Sequence, residues 1–209
     1  MGPSSLDPKT RVQKSRSRQR ADTKERIFEI ALREFRDVGF ASAQIHRIAT
    51  NAGIARGTFY FHFPTKDHVM LELARRINRR GARRLALIAE GEPDLLEYLT
   101  GFVDLLIDEF GRVSDAGLNS ELLALYVRRP SDLGEPLKDA PVINDELIGH
   151  LQSIRDRGGF RSTMSTEQLG VLVVASLFGI LARLPRDSGV REAGHSLVEL
   201  LVKGLQAED

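Results

Sequence analysis

Two short apolar helical patterns hinged at a glycine and stopped by a proline constrain this chain more than any other feature. Ile45, Ile48, Ala49 and Ala52 form a buried stripe over a helix from about Ser42 to Asn51. Gly53 then supplies a residue able to take the left-handed conformation of a tight turn. A second short pattern begins at Ile54, runs through Phe59 to Phe63 and ends at Pro64. Ala49 is small where two such helices must cross, and Ile54 and Phe59 are apolar where the second must pack back on the first. Two short helices joined this way are a scaffold for entering the major groove of DNA. An ordinary helical hairpin shows the same stripe.

The flanking segments also read as helices. Asp22 or Thr23 caps a first helix, with Glu25 in capping-box spacing to Asp22. Ile27, Ala31, Phe35 and Val38 give it an inner face, and Gly39 ends it. Thr65 caps a helix to about Ala89, whose arginines from Arg75 to Arg84 read as a solvated face. Further helices are expected over 93–112, 115–129, 141–157, 165–184 and 190–205, separated by a loop at 130–136, Gly158-Gly159 and a break at 185–189. No segment reads as a strand. The expected fold is all-α with about nine helices: a basic disordered arm over 1–21, a three-helix DNA-binding domain over 22–68, and a larger helical domain over 69–209.

Charge separates these parts. Residues 1–66 hold 13 Lys/Arg against 6 Asp/Glu, whereas residues 67–209 hold 17 against 23. A basic front on an acidic body suits a polyanion-binding module joined to something else. The absence of Cys excludes disulfides and Cys-based zinc sites and fits a reducing compartment. The uncharged run Gln168–Ala182 is too short to span a bilayer, so a cytoplasmic protein is expected.

On the second short helix, Ala55, Arg56, Gly57, Thr58, Phe61 and His62 are expected at its exposed face. Arg56 suits guanine or phosphate, Gly57 permits close backbone approach, and Tyr60 can donate to a phosphate. Arg16, Arg18 and Arg20 place further charge on the arm.

Residues 23–73, and above all the run Ala52-Gly53-Ile54-Ala55-Arg56-Gly57-Thr58-Phe59-Tyr60-Phe61-His62-Phe63-Pro64-Thr65-Lys66, resemble the DNA-binding domain of the TetR family of bacterial transcriptional regulators. The resemblance implies that Tyr60 and Lys66 hold phosphates, that Arg56, Gly57 and Thr58 lie along the groove, and that Gln44 also reaches DNA. The sequence departs from the family at several positions. Ala55 replaces a polar cap, Phe61 stands where Tyr or His is frequent, and Ala43 replaces Thr, with Ser42 able to substitute. Arg47 stands where an acid is favoured.

Beyond residue 73 the resemblance weakens but still implies a helical effector-binding and dimerisation domain; Gly159-Phe160-Arg161 resembles the family's turn into the penultimate helix. Leu172, Val173, Leu177 and Ile180, on an all-apolar helix, together with Leu197, Leu200 and Leu201 of the last helix, would meet their counterparts in a second copy as a four-helix homodimer interface; an ordinary central core helix shows the same apolar run. The expected effector is small and mostly apolar, walled by Phe102, Leu106, Phe110, Leu122, Leu123, Tyr126 and Leu147, with Asn119, Tyr126 and His150 as polar anchors. The implied partners are palindromic DNA, a second copy and this effector, the implied regulation is repression, and no cofactor is expected.

Two other function classes compete with this reading. A ferritin-like metal enzyme needs two Glu-x-x-His motifs, and only Glu192-Ala193-Gly194-His195 fits; no metal site, nucleophile elbow or phosphate loop is expected. A helical adaptor with a basic front explains the charge asymmetry but not the run around Gly53.

Overall fold

The computed structural model describes residues 8–113, 115–128, 143–183 and 189–206. Among these residues nine helices and no strand occur: α1 (Pro8–Val38), α2 (Ile45–Asn51), α3 (Arg56–His62), α4 (Lys66–Ala89), α5 (Leu95–Val113), α6 (Ala116–Arg128), α7 (Ile143–Asp156), α8 (Thr166–Arg183) and α9 (Val190–Gln206). The expected loop at 130–136, the break at 185–188 and the first seven residues of the arm lie outside the described residues. The chain divides into two compact units, Met1–Met70 and Leu71–Asp209, with the boundary inside α4.

The structure corrects the reading of the arm. The first helix does not start at Asp22 or Thr23; it runs back without a break to Pro8. Residues 9–21 contain no Gly or Pro and many Lys, Arg and Gln, so extending a helix already nucleated downstream costs little. Pro8 suits the first helical position. Thr23 Oγ1 donates to the carbonyl of Gln19 at 2.8 Å, a bond of a helix interior rather than of a cap.

In the N-terminal unit α2 packs against both α1 and α3. Ile27, Ala31 and Phe35 of α1, Ile48 and Ala49 of α2 and Phe59 of α3 are all nearly inaccessible and supply the apolar core of this unit. Gly39 (φ +80°) ends α1, and Gly53 (φ +62°) turns the chain between α2 and α3 in the left-handed conformation expected of it.

In the C-terminal unit α5 packs on α9, α8 packs on α7, α6 and α9, and their shared core includes Tyr98, Leu99, Phe102, Val103, Leu151, Val173, Leu177 and Val198. Two capping boxes fix helix starts. Asp94 and Glu97 exchange bonds of 2.8 and 3.2 Å at α5, and Ser165 and Gln168 exchange bonds of 3.2 and 2.9 Å at α8. A Cβ on Gly194 would lie 2.6 Å from Val103 Cγ1, so glycine permits the close crossing of α9 over α5.

The arginines of α4 are not simply a solvated face. Glu109 on α5 is buried, and it accepts Arg80 at 2.7 Å and Arg84 at 3.1 Å. Arg84 also reaches Asp108 at 3.0 Å, which holds that carboxyl below its usual range. From α9, Arg191 pairs with Asp104 and Asp108, and His195 Nε2 lies 2.9 Å from Asp104.

Candidate nucleic-acid interface

The exposed face of α3 follows from its length and composition. Seven residues form two turns, and Phe59 is the one buried position. Ala55 occupies the N-cap with no side-chain bond; its carbonyl alone receives Thr58 N at 2.9 Å and Phe59 N at 3.4 Å. Arg56, Gly57, Tyr60 and Phe61 are exposed, and Thr58 and His62 are half-buried. Arg56 Nη2 donates to Tyr60 Oη at 3.2 Å and lies 5.7 Å from that ring's centroid, so charge and phenol form one unit along the helix. Tyr60 in turn meets Phe59 edge-on at 5.8 Å, which anchors it to the core.

Gly57 has an ordinary helical φ, and a Cβ built on it would meet no atom of the described residues within 4 Å. Glycine here lowers helix stability relative to alanine by about 0.5–1 kcal/mol with no internal packing reason.

Around α3, the N-cap position of α2 is held by Gln44, whose side chain makes no capping bond and is exposed. Ser42 is exposed too, while Ala43 is buried and so acts as a core residue. Arg47 pairs with the buried Glu34 of α1 at 3.2 Å, which gives this departure from the family an internal role. Arg16, Arg18 and Arg20 are exposed on α1, and Arg20 lies over the ring of Phe61 at 5.4 Å. Burial, with Lys24 and Arg20 adding repulsion, holds His62 below its ordinary pKa.

Lys66 is bonded within the chain. Its ammonium donates to the carbonyls of Phe40 (2.7 Å), Ala41 (3.0 Å) and Ala43 (2.9 Å) and lies 5.1 Å from the Phe40 ring centroid. Three donors matched to three carbonyls make it a brace between the α1–α2 connection and the start of α4.

Residues 27–73 match the family described as bacterial regulatory proteins, tetR family. Over these residues the chain carries a TetR-type DNA-binding domain. Its curated relatives include the transcriptional repressor AcnR of Corynebacterium glutamicum, 25% identical over 88% of this chain and 92% of that protein. The transcriptional regulator UidR of Escherichia coli K12 is 24% identical over 82% and 86%. Among solved structures, the TetR-family repressor FadR of Thermus thermophilus, determined with lauroyl-CoA, shares the fold with a TM-score of 0.70 at 22% identity, over 89% of this chain and 96% of that one. The protein is a helix-turn-helix regulator of transcription.

The remaining expected sites belong to the C-terminal unit. Phe102, Leu106, Phe110, Leu122 and Leu147 are almost fully buried, and Leu123 is 9% exposed. Phe110 and Tyr126 form an aromatic cluster with Phe178 of α8, with centroids 5.1 to 6.3 Å apart. Phe178 was missed because it lies 52 residues after Tyr126, within a run that reads as uniformly apolar. Burial pushes the Tyr126 phenol well above its usual range. The Asn119 amide nitrogen donates to Asp115 O at 2.8 Å, but among the described residues its buried Oδ1 has no partner, and neither has the buried His150 Nε2. His150 stacks on Tyr98 at 4.2 Å, away from the Phe110 cluster's contacts. A separate cleft of about 270 Å³ is lined by Asp94, Leu95, Leu96, Gly159, Glu199, Val202 and Lys203, none of them an expected wall.

The expected dimer residues divide. Val173 and Leu177 are 0% and 3% exposed within a single chain, so they are core residues and cannot contact a second copy. Leu172 and Leu200 are 40% and 69% exposed, and Val171, not anticipated, is 63% exposed. Ile180, Leu197 and Leu201 are half-buried at the edge of the core. Among the described residues, no group of three or more His, Cys, Asp or Glu is placed to hold a metal ion, and no helix is long and apolar enough to cross a membrane. His195, from the lone Glu-x-x-His motif, is turned to Asp104.

Proposed function

We propose that this TetR-family regulator acts as a homodimeric repressor that holds a palindromic operator and leaves it when a small, mostly apolar molecule occupies the C-terminal unit. The observation that carries the DNA reading is the exposed face of α3, where Arg56 and Tyr60 flank a glycine with no internal reason to be one. Gln44, Ser42, Thr58 and His62 extend the contact, and Arg16, Arg18 and Arg20 add charge from α1.

Dimerisation rests on Val171, Leu172 and Leu200, which expose large apolar side chains on the packed pair α8 and α9. One seven-residue helix reads only a few base pairs. Two heads read a palindrome whose half-sites lie ~34–36 Å apart, or a multiple of that distance. The repressor sense is supported by AcnR, named a repressor, and by the lauroyl-CoA complex of FadR, a repressor with a bound acyl ligand. For the effector, the Phe110–Tyr126–Phe178 cluster supplies aromatic walls, and Asn119 Oδ1 offers one unsatisfied acceptor. The site is in the cytoplasm, where the operator is.

The test compares a selected palindrome with its isolated half-site, using the intact protein and Leu172→Glu/Leu200→Glu. The reading expects a dimer that prefers the palindrome at least tenfold, and a variant that is monomeric and has lost that preference. A monomeric wild type with equal affinity for both duplexes would refute it.

A further inference from the structure

The face of α3 away from Phe59 is centred on Gly57 and Phe61, which stand one turn apart. Phe61 is 66% exposed. A single exposed phenylalanine is ordinary on a protein surface. Two features set this one apart. Its ring is held in place: the Arg20 guanidinium lies over it at 5.4 Å, and the His62 ring meets it edge-on at 5.1 Å. It also shares its face with Gly57, where the backbone lies bare to any body that approaches.

A body fitting that face must accept two cations, Arg20 and Arg56, and also offer something apolar to the ring. Duplex DNA meets the first demand with its phosphates. Along the major groove, base edges present donors and acceptors, and their one apolar feature is the C5-methyl of thymine. We propose that Phe61 is a specificity-determining residue that recognises a thymine methyl in each half-site, with Arg20 a positioning residue that holds the ring at the angle this contact needs. The inference rests on the DNA-binding reading above and deepens it from the class of partner to one atom of it.

Deoxyuridine lacks only that methyl and keeps the pairing edge of thymine. Burying one such group is worth about 0.8 kcal/mol, close to a fourfold change in affinity. The experiment takes the operator selected from random duplexes and replaces each preferred thymine in turn with deoxyuridine. Wild type loses about fourfold at one thymine per half-site. Phe61→Ala, whose exposed position leaves folding intact by circular dichroism, shows no further loss at that thymine and unchanged losses elsewhere. Phe61→Leu, still apolar, retains part of the effect. Arg20→Gln reduces the penalty at the same thymine; loss of a phosphate contact alone would weaken the thymine and uracil duplexes equally and overturn the role given to Arg20. An operator without a preferred thymine, or an equal uracil penalty in wild type and Phe61→Ala, overturns the role of Phe61 while leaving DNA binding standing. A folded protein that selects no operator removes both.

Discussion

Replacing Gly57 with alanine should make the protein more stable and a weaker DNA binder. The opposed signs follow from two features of the site. Gly57 lies inside α3 with a helical φ, and a Cβ there meets no atom of the described residues within 4 Å, so the methyl strains none of them in the free protein. The change restricts the unfolded chain and improves helix propensity, which near a helix start is worth about 0.5 kcal/mol, the lower end of the glycine-to-alanine range. That corresponds to a Tm rise of about 1–2 °C. In the complex the same methyl projects where the backbone meets the duplex. Overpacking a close contact costs about 1–3 kcal/mol, so affinity should fall at least ~5-fold per half-site. Circular dichroism melting and fluorescence anisotropy on the selected operator read the two effects separately. A raised Tm with unchanged affinity would show that nothing approaches this face. A lowered Tm would show that Gly57 has an internal role the geometry does not contain.

Three further substitutions or conditions probe the surrounding structure. Lys66→Ala leaves three carbonyls without their charged donor and should destabilise the protein by about 2 kcal/mol, read in urea melts; a variant of wild-type stability with only weakened DNA binding would make Lys66 a phosphate ligand after all. Gly194→Ala drives a methyl against Val103 and should cost about 1–3 kcal/mol, with crowding relieved in Gly194→Ala/Val103→Ala. Because burial depresses both His62 and His150, the unfolded chain binds their protons first. Stability should therefore fall as pH drops below about 6.5, and His150→Gln should flatten that slope. A pH-independent urea midpoint between pH 7 and 5.5 would contradict this.

The parts of the fold that depend on neighbours in sequence were legible. Gly39, Gly53 and Pro64 punctuate α1 to α3 locally, and Ile48, Ala49 and Phe59 face the core at the spacing their pattern predicts. What stayed hidden depends on partners far along the chain. Lys66 finds its carbonyls 23 to 26 residues earlier, and Arg80 and Arg84 find Glu109 29 and 25 residues later, so neither the brace nor the buried carboxylate leaves a trace in periodicity. Val173 and Leu177 look like Val171 and Leu172 in a run that is apolar all round. Only packing separates the core side of α8 from its exposed side. The arm was misread for the opposite reason, because its polar composition suggested disorder where its helix propensity prevailed.

The central claim, that the exposed face of α3 reads DNA sequence, is tested most directly by selecting duplexes from a random pool with wild type and with Arg56→Ala/Tyr60→Ala. Lys66 stays intact, so that folding is not confounded. The account predicts that wild type enriches a palindrome and that the folded double variant does not. Equal enrichment of one palindrome by both proteins would contradict it.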